Sequence, residues 1–231
     1  MNRSKQITTL TFFKYNTLRT KIWAFGMMQY AHQDLSNVAG LEFYKLMGTG
    51  NKSGFNPFPD WSTYCLLQVW KTDADAEHFF ENSRLMGRYK NKTSGQITYF
   101  LKNIAAHGLW SKKEPFIKSD SLSEENLPIA VITRATIKNK HLIKFWKYVP
   151  KAEKPIEKAS GLEFKKGIGE MPIKQMATFS IWKNAEAIKK YAYESPAHKK
   201  AIEMTRTYQW YSEELFSRFQ LYRTEGSWEE S

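Results

Sequence analysis

The sequence predicts an α+β fold: two tandem βαββαβ repeats packed together as one barrel. Three observations predict it. First, Ala39-Gly40-Leu41-Glu42-Phe43, with Lys45 and Gly48 after it, recurs as Ser160-Gly161-Leu162-Glu163-Phe164 with Lys166 and Gly169, an offset of 121 residues (161 − 40). Second, Gln68-Val69-Trp70-Lys71 recurs as Ser180-Ile181-Trp182-Lys183 at an offset of 112 (182 − 70), and the Gly/Pro/Asn loop from Asn51 to Trp61 accounts for the difference. Third, each copy closes on Gly-x-Trp, at Gly108-Leu109-Trp110 and Gly226-Ser227-Trp228. A repeat of this length is one supersecondary unit present twice, so differences between the copies point to function.

The elements follow from periodicity. Gln6 to Tyr15 alternates and is rich in β-branched and aromatic residues, a strand. Leu18 to Leu35 reads as a helix, with its apolar spacing running through Ile22, Phe25, Met28, Gln29 and His32. Leu41 to Met47 is a second strand, and Gly48 to Asp60 a long loop. Thr63 to Trp70 is the third strand. Asp73 to Asn82 and Arg84 to Gly95 make a broken helix, and Ile97 to His107 closes the copy. The second copy runs in parallel: strands at Ile129 to Ile137, Leu162 to Ile168, Met176 to Trp182 and Phe216 to Arg223. Its helices fall at Asn139 to Tyr148, Asn184 to Tyr193, and Ser195 to about Tyr211. Each half is thus a ferredoxin-like sandwich, a four-stranded sheet with helices on one face. The division is 1–111 for the first repeat, 112–127 for a polar linker, and 128–231 for the second repeat, the proposed cofactor-binding half.

Composition bounds the function. The chain has 231 residues, 42% hydrophobic and 15% aromatic, enough for a sizeable core. No run approaches the roughly 20 apolar residues of a membrane span, and the polar start, Met1 to Lys5, lacks the apolar stretch of a signal peptide. A single cysteine excludes an internal disulfide and a Cys-rich metal site. These features predict a cytoplasmic protein. The net charge is +12, with the lysines scattered through both copies and no nucleic-acid-binding signature beside them. Nucleic acid is therefore not an expected partner. Solvated helix faces explain most of the lysines, and peripheral contact with a membrane surface is the further expectation.

The copies disagree at one telling place. Met86 in the first corresponds to His198 in the second, in Ser195-Pro196-Ala197-His198. Ser195 suits an N-cap and Pro196 the first helical position, which puts His198 in the first turn of a helix. Ala201, Ile202 and Thr205 follow on its face. Small neighbours leave room for something flat beside the imidazole. Three readings stay open: a capped helix-start histidine, an axial ligand for heme iron, or a catalytic base. His107, beside Gly108, is the second choice for a ligand. Cys65 reads as a buried core thiol. Arg134 shares a strand face with Ala130 and Ile132 and needs a partner, either an anion such as a heme propionate, bound oxygen, or a carboxylate such as Glu163. Ser180, beside an apolar run, either bonds a ligand or satisfies the backbone.

Several stretches resemble the spheroidene monooxygenase family. They include Trp23-Ala24-Phe25-Gly26-Met27-Met28, Gly54-Phe55-Asn56-Pro57-Phe58-Pro59-Asp60-Trp61 and Thr133-Arg134-Ala135-Thr136. Others are Lys166-Gly167-Ile168-Gly169-Glu170-Met171-Pro172, Thr178-Phe179-Ser180-Ile181-Trp182, Pro196-Ala197-His198 and Glu213-Glu214-Leu215-Phe216-Ser217-Arg218-Phe219. The likeness runs from about residue 8 to 228 in the same order. It implies a heme b-dependent enzyme that oxidises the end of an acyclic carotenoid with molecular oxygen and an external electron donor. The repeated half is also similar to the barrels of chlorite dismutases and aldoxime dehydratases, where heme sits between a helix histidine and a sheet. On that resemblance His198 is the iron ligand, with Ala201, Ile202 and Thr205 beside the macrocycle. Arg134 and Ser180 then face the oxygen side, and Phe55, Phe58 and Trp61 form an aromatic substrate mouth. The alternatives are a heme enzyme of other chemistry, dehydratase or peroxidase-like, a heme or lipid carrier, or a cofactor-free monooxygenase. A homodimer is left open. Fold alone does not fix the chemistry.

Overall fold

A computed structural model describes residues 4–51, 57–153, 156, 159–194, 200, 203–205 and 207–227. The element order is β1 (Ile7–Lys14), α1 (Leu18–Leu35), β2 (Leu41–Gly50), β3 (Pro59–Trp70), α2 (Asp73–Asn82), α3 (Arg84–Lys90) and β4 (Gly95–Gly108). The second copy has β5 (Ile129–Ile137), a 3₁₀ turn (Asn139–His141), α4 (Leu142–Glu153), β6 (Leu162–Met171), β7 (Gln175–Trp182), α5 (Ala185–Glu194) and β8 (Tyr211–Ser227). The eight antiparallel strands close into a barrel in the order β1-β3-β2-β6-β7-β5-β8-β4. Each half keeps the βαββαβ order, and the two sheets meet at two seams. At one, Gly48 pairs with its own repeat counterpart Gly169. At the other, β4 and β8 pair along most of their length.

Local chemistry fixes the helix starts. Thr17 forms a capping box with Thr20 at α1. Thr72 caps α2, with Asp73 and Asp75 set against the positive end of its dipole. The Ser83 hydroxyl accepts from the amides of Leu85 and Met86 at α3. At the β4–β8 seam, Gly108 has φ +97°, and a Cβ there would lie 2.2 Å from the Glu214 carbonyl oxygen. Gly226, its counterpart, has φ +84° and would place a Cβ 2.1 Å from the Gln96 carbonyl oxygen. The Gly-x-Trp repeat is therefore a close-approach motif at both ends of this seam.

The barrel interior is filled by side chains from both halves. Phe12, Tyr99, Phe164 and Phe179 pack ring against ring at its centre, with centroid separations of 5.4 Å between Tyr99 and Phe179 and 5.7 Å between Phe12 and Phe164. Leu10, Met47, Cys65, Ile132 and Phe219 belong to the same cluster. It is a packed core with no pore. The stretch 112–127 is more than a spacer, because Phe116 enters this core against Trp110 and Phe219.

Two sequence expectations change. The buried face of α1 is Ala24, Met27, Ala31 and Leu35; Ile22 and Phe25 point to solvent. Small residues let the helix lie close to the sheet, so the larger apolar side chains stand outward. The last helix does not reach Tyr211, which already belongs to β8. Among the described residues no helix is long and apolar enough to cross a membrane.

Candidate functional site

The helix-covered faces of the two sheets differ. In the first copy, Leu46, Leu66, Thr11 and Thr98 form a cross-strand row, and Tyr44, Gln68, Thr9 and Phe100 the next. Leu46, Leu66, Thr11 and Thr98 are all buried, and Leu46, Leu66 and Phe100 join one cluster with α1, α2 and α3. The register places Gly167, Thr178, Thr133 and Phe216 in the equivalent second-copy row, and Lys165, Ser180, Val131 and Arg218 in the next. Two leucines have become glycine and threonine, Thr133 is exposed, and Phe216 is 44% exposed. Among the described residues the apolar packing on this face falls in two clusters. One cluster gathers Ile137, Phe145 and Trp210, the other Ile129, Val131 and Trp182. Between them the strand row carries smaller side chains than its first-copy counterpart, a strip of Gly167, Thr178 and Thr133.

The strip is chemically furnished. Ser180 is buried, and its Oγ accepts a hydrogen bond from Trp182 Nε1 at 3.0 Å. That leaves the Ser180 hydroxyl proton to donate. Trp70, the counterpart of Trp182, donates likewise to Thr9, so the second copy keeps the geometry on a different strand. Arg218 replaces Phe100, is half-buried, and its guanidinium has no partner among the described residues. Lys165, at the far end of the same row, is buried. The row therefore carries a cation at each end and a hydroxyl between them.

The predicted residues fall as follows. His198, Ala201 and Ile202 lie outside the described residues, as does Phe55. The first-copy counterpart of His198, Met86, is 5% exposed and packs in the cluster that holds Leu46, Leu66 and Phe100. Thr205 is half-buried in the last helical segment, with its side chain bonded to Tyr211. Ser180 lies on the strip. Arg134 does not: it shares parity with Ala130 and Ile132, and that parity faces the barrel interior. There its guanidinium donates to Glu213 and lies 3.7 Å from Glu170. Glu163, the carboxylate suggested by sequence, is exposed. Arg134 and Ser180 thus occupy opposite faces of the sheet and cannot line one side of one ligand. Phe58 and Trp61 are exposed on the first copy's hairpin, with Trp61 against Phe25 of α1. His107 is exposed at the end of β4, and Cys65 is buried with its thiol pushed well up by burial.

Arg134 and Glu213 belong to a network at the barrel end. Glu213 also accepts from the Ser111 and Lys112 amides, at 3.0 and 2.7 Å. Glu170 accepts from Trp110 Nε1 at 2.6 Å and pairs with Lys45. Burial alone would raise the Glu213 carboxyl. The two amides and the Arg134 charge outweigh it and hold Glu213 below the usual carboxylate range. Among the described residues no cluster of His, Cys, Asp or Glu could hold a metal ion.

The chain is 31% identical over 223 residues to the spheroidene monooxygenase of Rhodobacter capsulatus, covering 96% of this chain and 92% of the relative. It is 33% identical over 225 residues to that of Cereibacter sphaeroides, covering 97% of this chain and 69% of the relative. The chain belongs to the spheroidene monooxygenase family. No family model matches it. The fold is shared with aldoxime dehydratase, whose complex with butyraldoxime superposes with a TM-score of 0.68 over 98% of this chain and 84% of that one, at 8% identity. A second aldoxime dehydratase structure gives 0.64 over 94% and 81%, also at 8% identity.

Proposed function

We propose that this family member is a heme-dependent monooxygenase that oxidises the end of an acyclic carotenoid. The observation that carries the reading is the exchange of the buried first-copy residues Leu46, Leu66 and Phe100 for Gly167, Thr178 and Arg218 on the second-copy strip. Its residues fit a flat macrocycle. Gly167 has no side chain and Thr178 and Thr133 are small. Trp182 and Trp210 flank the strip, and Arg218, without a partner among the described residues, offers a cation for a carboxylate. His198 would hold the heme iron in this reading, supported by the buried setting of its counterpart Met86. By helical spacing Ala201, Ile202 and Thr205 would be its neighbours.

Heme, when bound, supplies the activation of oxygen, with electrons from an external donor. The chain's own residues do the rest. Ser180 Oγ, fixed by Trp182, directs its proton toward the strip and is the donor on the sheet side. Arg218 neutralises a carboxylate at the rim. Phe216 and the two aromatic clusters exclude water, which strengthens every polar contact inside. Arg134 has no role on this face and holds the barrel end. The test is reconstitution: purified protein, heme, an acyclic carotenoid, oxygen and a chemical reductant. Hydroxyl or keto products are expected; a heme-saturated protein that leaves the carotenoid untouched sinks the proposal.

A further inference from the structure

The outward face of α1 carries the larger apolar side chains. Leu18, Ile22 and Phe25 recur at helical spacing and are 75%, 64% and 58% exposed. Phe25 stands edge-on to Trp61, which is 55% exposed, with centroids 5.5 Å apart. Phe58, on the same hairpin, is 71% exposed. Scattered single apolar residues are ordinary on a surface; a contiguous ridge is not.

The second copy repeats the arrangement. Ile143 follows Ile22 by 121 residues (143 − 22), and Trp146 follows Phe25 by the same interval (146 − 25). Ile143 is 78% exposed. Trp146 Nε1 donates to the Ile173 carbonyl at 2.9 Å, tying α4 to the β6–β7 hairpin as Phe25 and Trp61 tie α1 to the β2–β3 hairpin. Met171 and Ile173 on that hairpin are 50% and 42% exposed. Ile22 and Ile143 are thus exposed at equivalent positions of the two copies, whereas Trp146 is half-buried against the Phe145 cluster.

Charge identifies the occupant. From Thr17 to Gln33 the sequence has no acidic residue, and Arg19 and Lys21 bracket the ridge. From Lys138 to Ala152 it again has none, and Lys140, Lys144 and Lys147 surround Ile143. A second copy of this chain would set these like charges against each other. An anionic lipid surface takes both components, apolar side chains into the acyl boundary and cations onto the headgroups. We propose that the α1 ridge, with the β2–β3 hairpin, docks this protein on an anionic membrane surface.

The experiment is vesicle co-sedimentation with the full chain, using phosphatidylcholine vesicles with and without phosphatidylglycerol. No heme or carotenoid is present, so the outcome is independent of the proposed activity. Binding is expected to the anionic vesicles, weaker to the neutral ones, and weakened by salt. Ile22→Ser with Phe25→Ser should lower partitioning by about tenfold. Arg19→Glu with Lys21→Glu should lower it on anionic vesicles by a similar factor and leave neutral vesicles unaffected. Protein that stays in the supernatant with anionic vesicles overturns the proposal. So does unchanged binding by either pair of substitutions. A concentration-dependent dimer abolished by Ile22→Ser with Phe25→Ser, without vesicle binding, would assign the ridge to self-association instead.

Discussion

Replacing Glu213 by Gln tests the assignment of Arg134 to the barrel end. Arg134 is 2% exposed, and its two carboxylate neighbours keep 18% and 19% of their side-chain surface. Removing one member of a buried pair costs about 3–5 kcal/mol, because the other charge stays behind. Here Glu170 remains 3.7 Å from the guanidinium, and the Gln carbonyl still accepts from one of the two amides that bond the separate carboxylate oxygens. The expected loss is therefore smaller, about 2–3 kcal/mol. For a chain of this size that is a fall in Tm of roughly 5–10 °C. Thermal and denaturant unfolding read it directly. The pH dependence adds a sign. The folded carboxyl is held below its unfolded value, so its stabilisation is complete above the unfolded Glu pKa of about 4.3 and is lost as pH falls through the lower folded value. Glu213→Gln should lack that acid-side loss. Heme uptake should be unchanged, since Arg134 and Glu213 lie on the face opposite the strip. A Tm within a degree or two of wild type would refute the reasoning on stability. Loss of heme binding at preserved Tm would return Arg134 to the cofactor.

Two further substitutions test the strip and the seam. Thr178→Leu with Arg218→Phe restores the first-copy residues Leu66 and Phe100 and should fill the strip. Heme uptake should fall at least tenfold while the unfolding midpoint holds or rises, and unchanged heme affinity would show that the strip is not the site. Gly108→Ala forces a Cβ to within 2.2 Å of a backbone oxygen at φ +97°. It should cost about 2–4 kcal/mol, with urea unfolding as the measure and a loss below 1 kcal/mol as the contrary result.

Much of the fold was legible because the repeat is strong. The glycine motif, the Trp-Lys strand ends and Gly-x-Trp located the later strands of each copy, alternation located the first, and the structure puts the two glycine motifs at the seams. What could not be read was which face of a strand lies inside. Arg134 shares parity with Ala130 and Ile132 in the sequence, but only closure of the barrel shows that this parity faces inward. Ser180 alternates out of phase with Phe179 and Ile181, and the register alone puts it on the other side. Helix α1 misled for a related reason. Its large residues signal a buried face, whereas Ala24 and Ala31 make the contact because a close approach needs small side chains. Arg218 was missed although a signal existed. Counting back 118 residues from it, the Gly108-to-Gly226 interval, gives Phe100, an aromatic core residue replaced by a cation.

Hemin titration of wild type and His198→Ala in parallel tests the central claim most directly. A Soret band saturating at one equivalent in wild type, and lost or strongly weakened in the variant at equal Tm, is the predicted result. Identical spectra and affinities in the two proteins would contradict it.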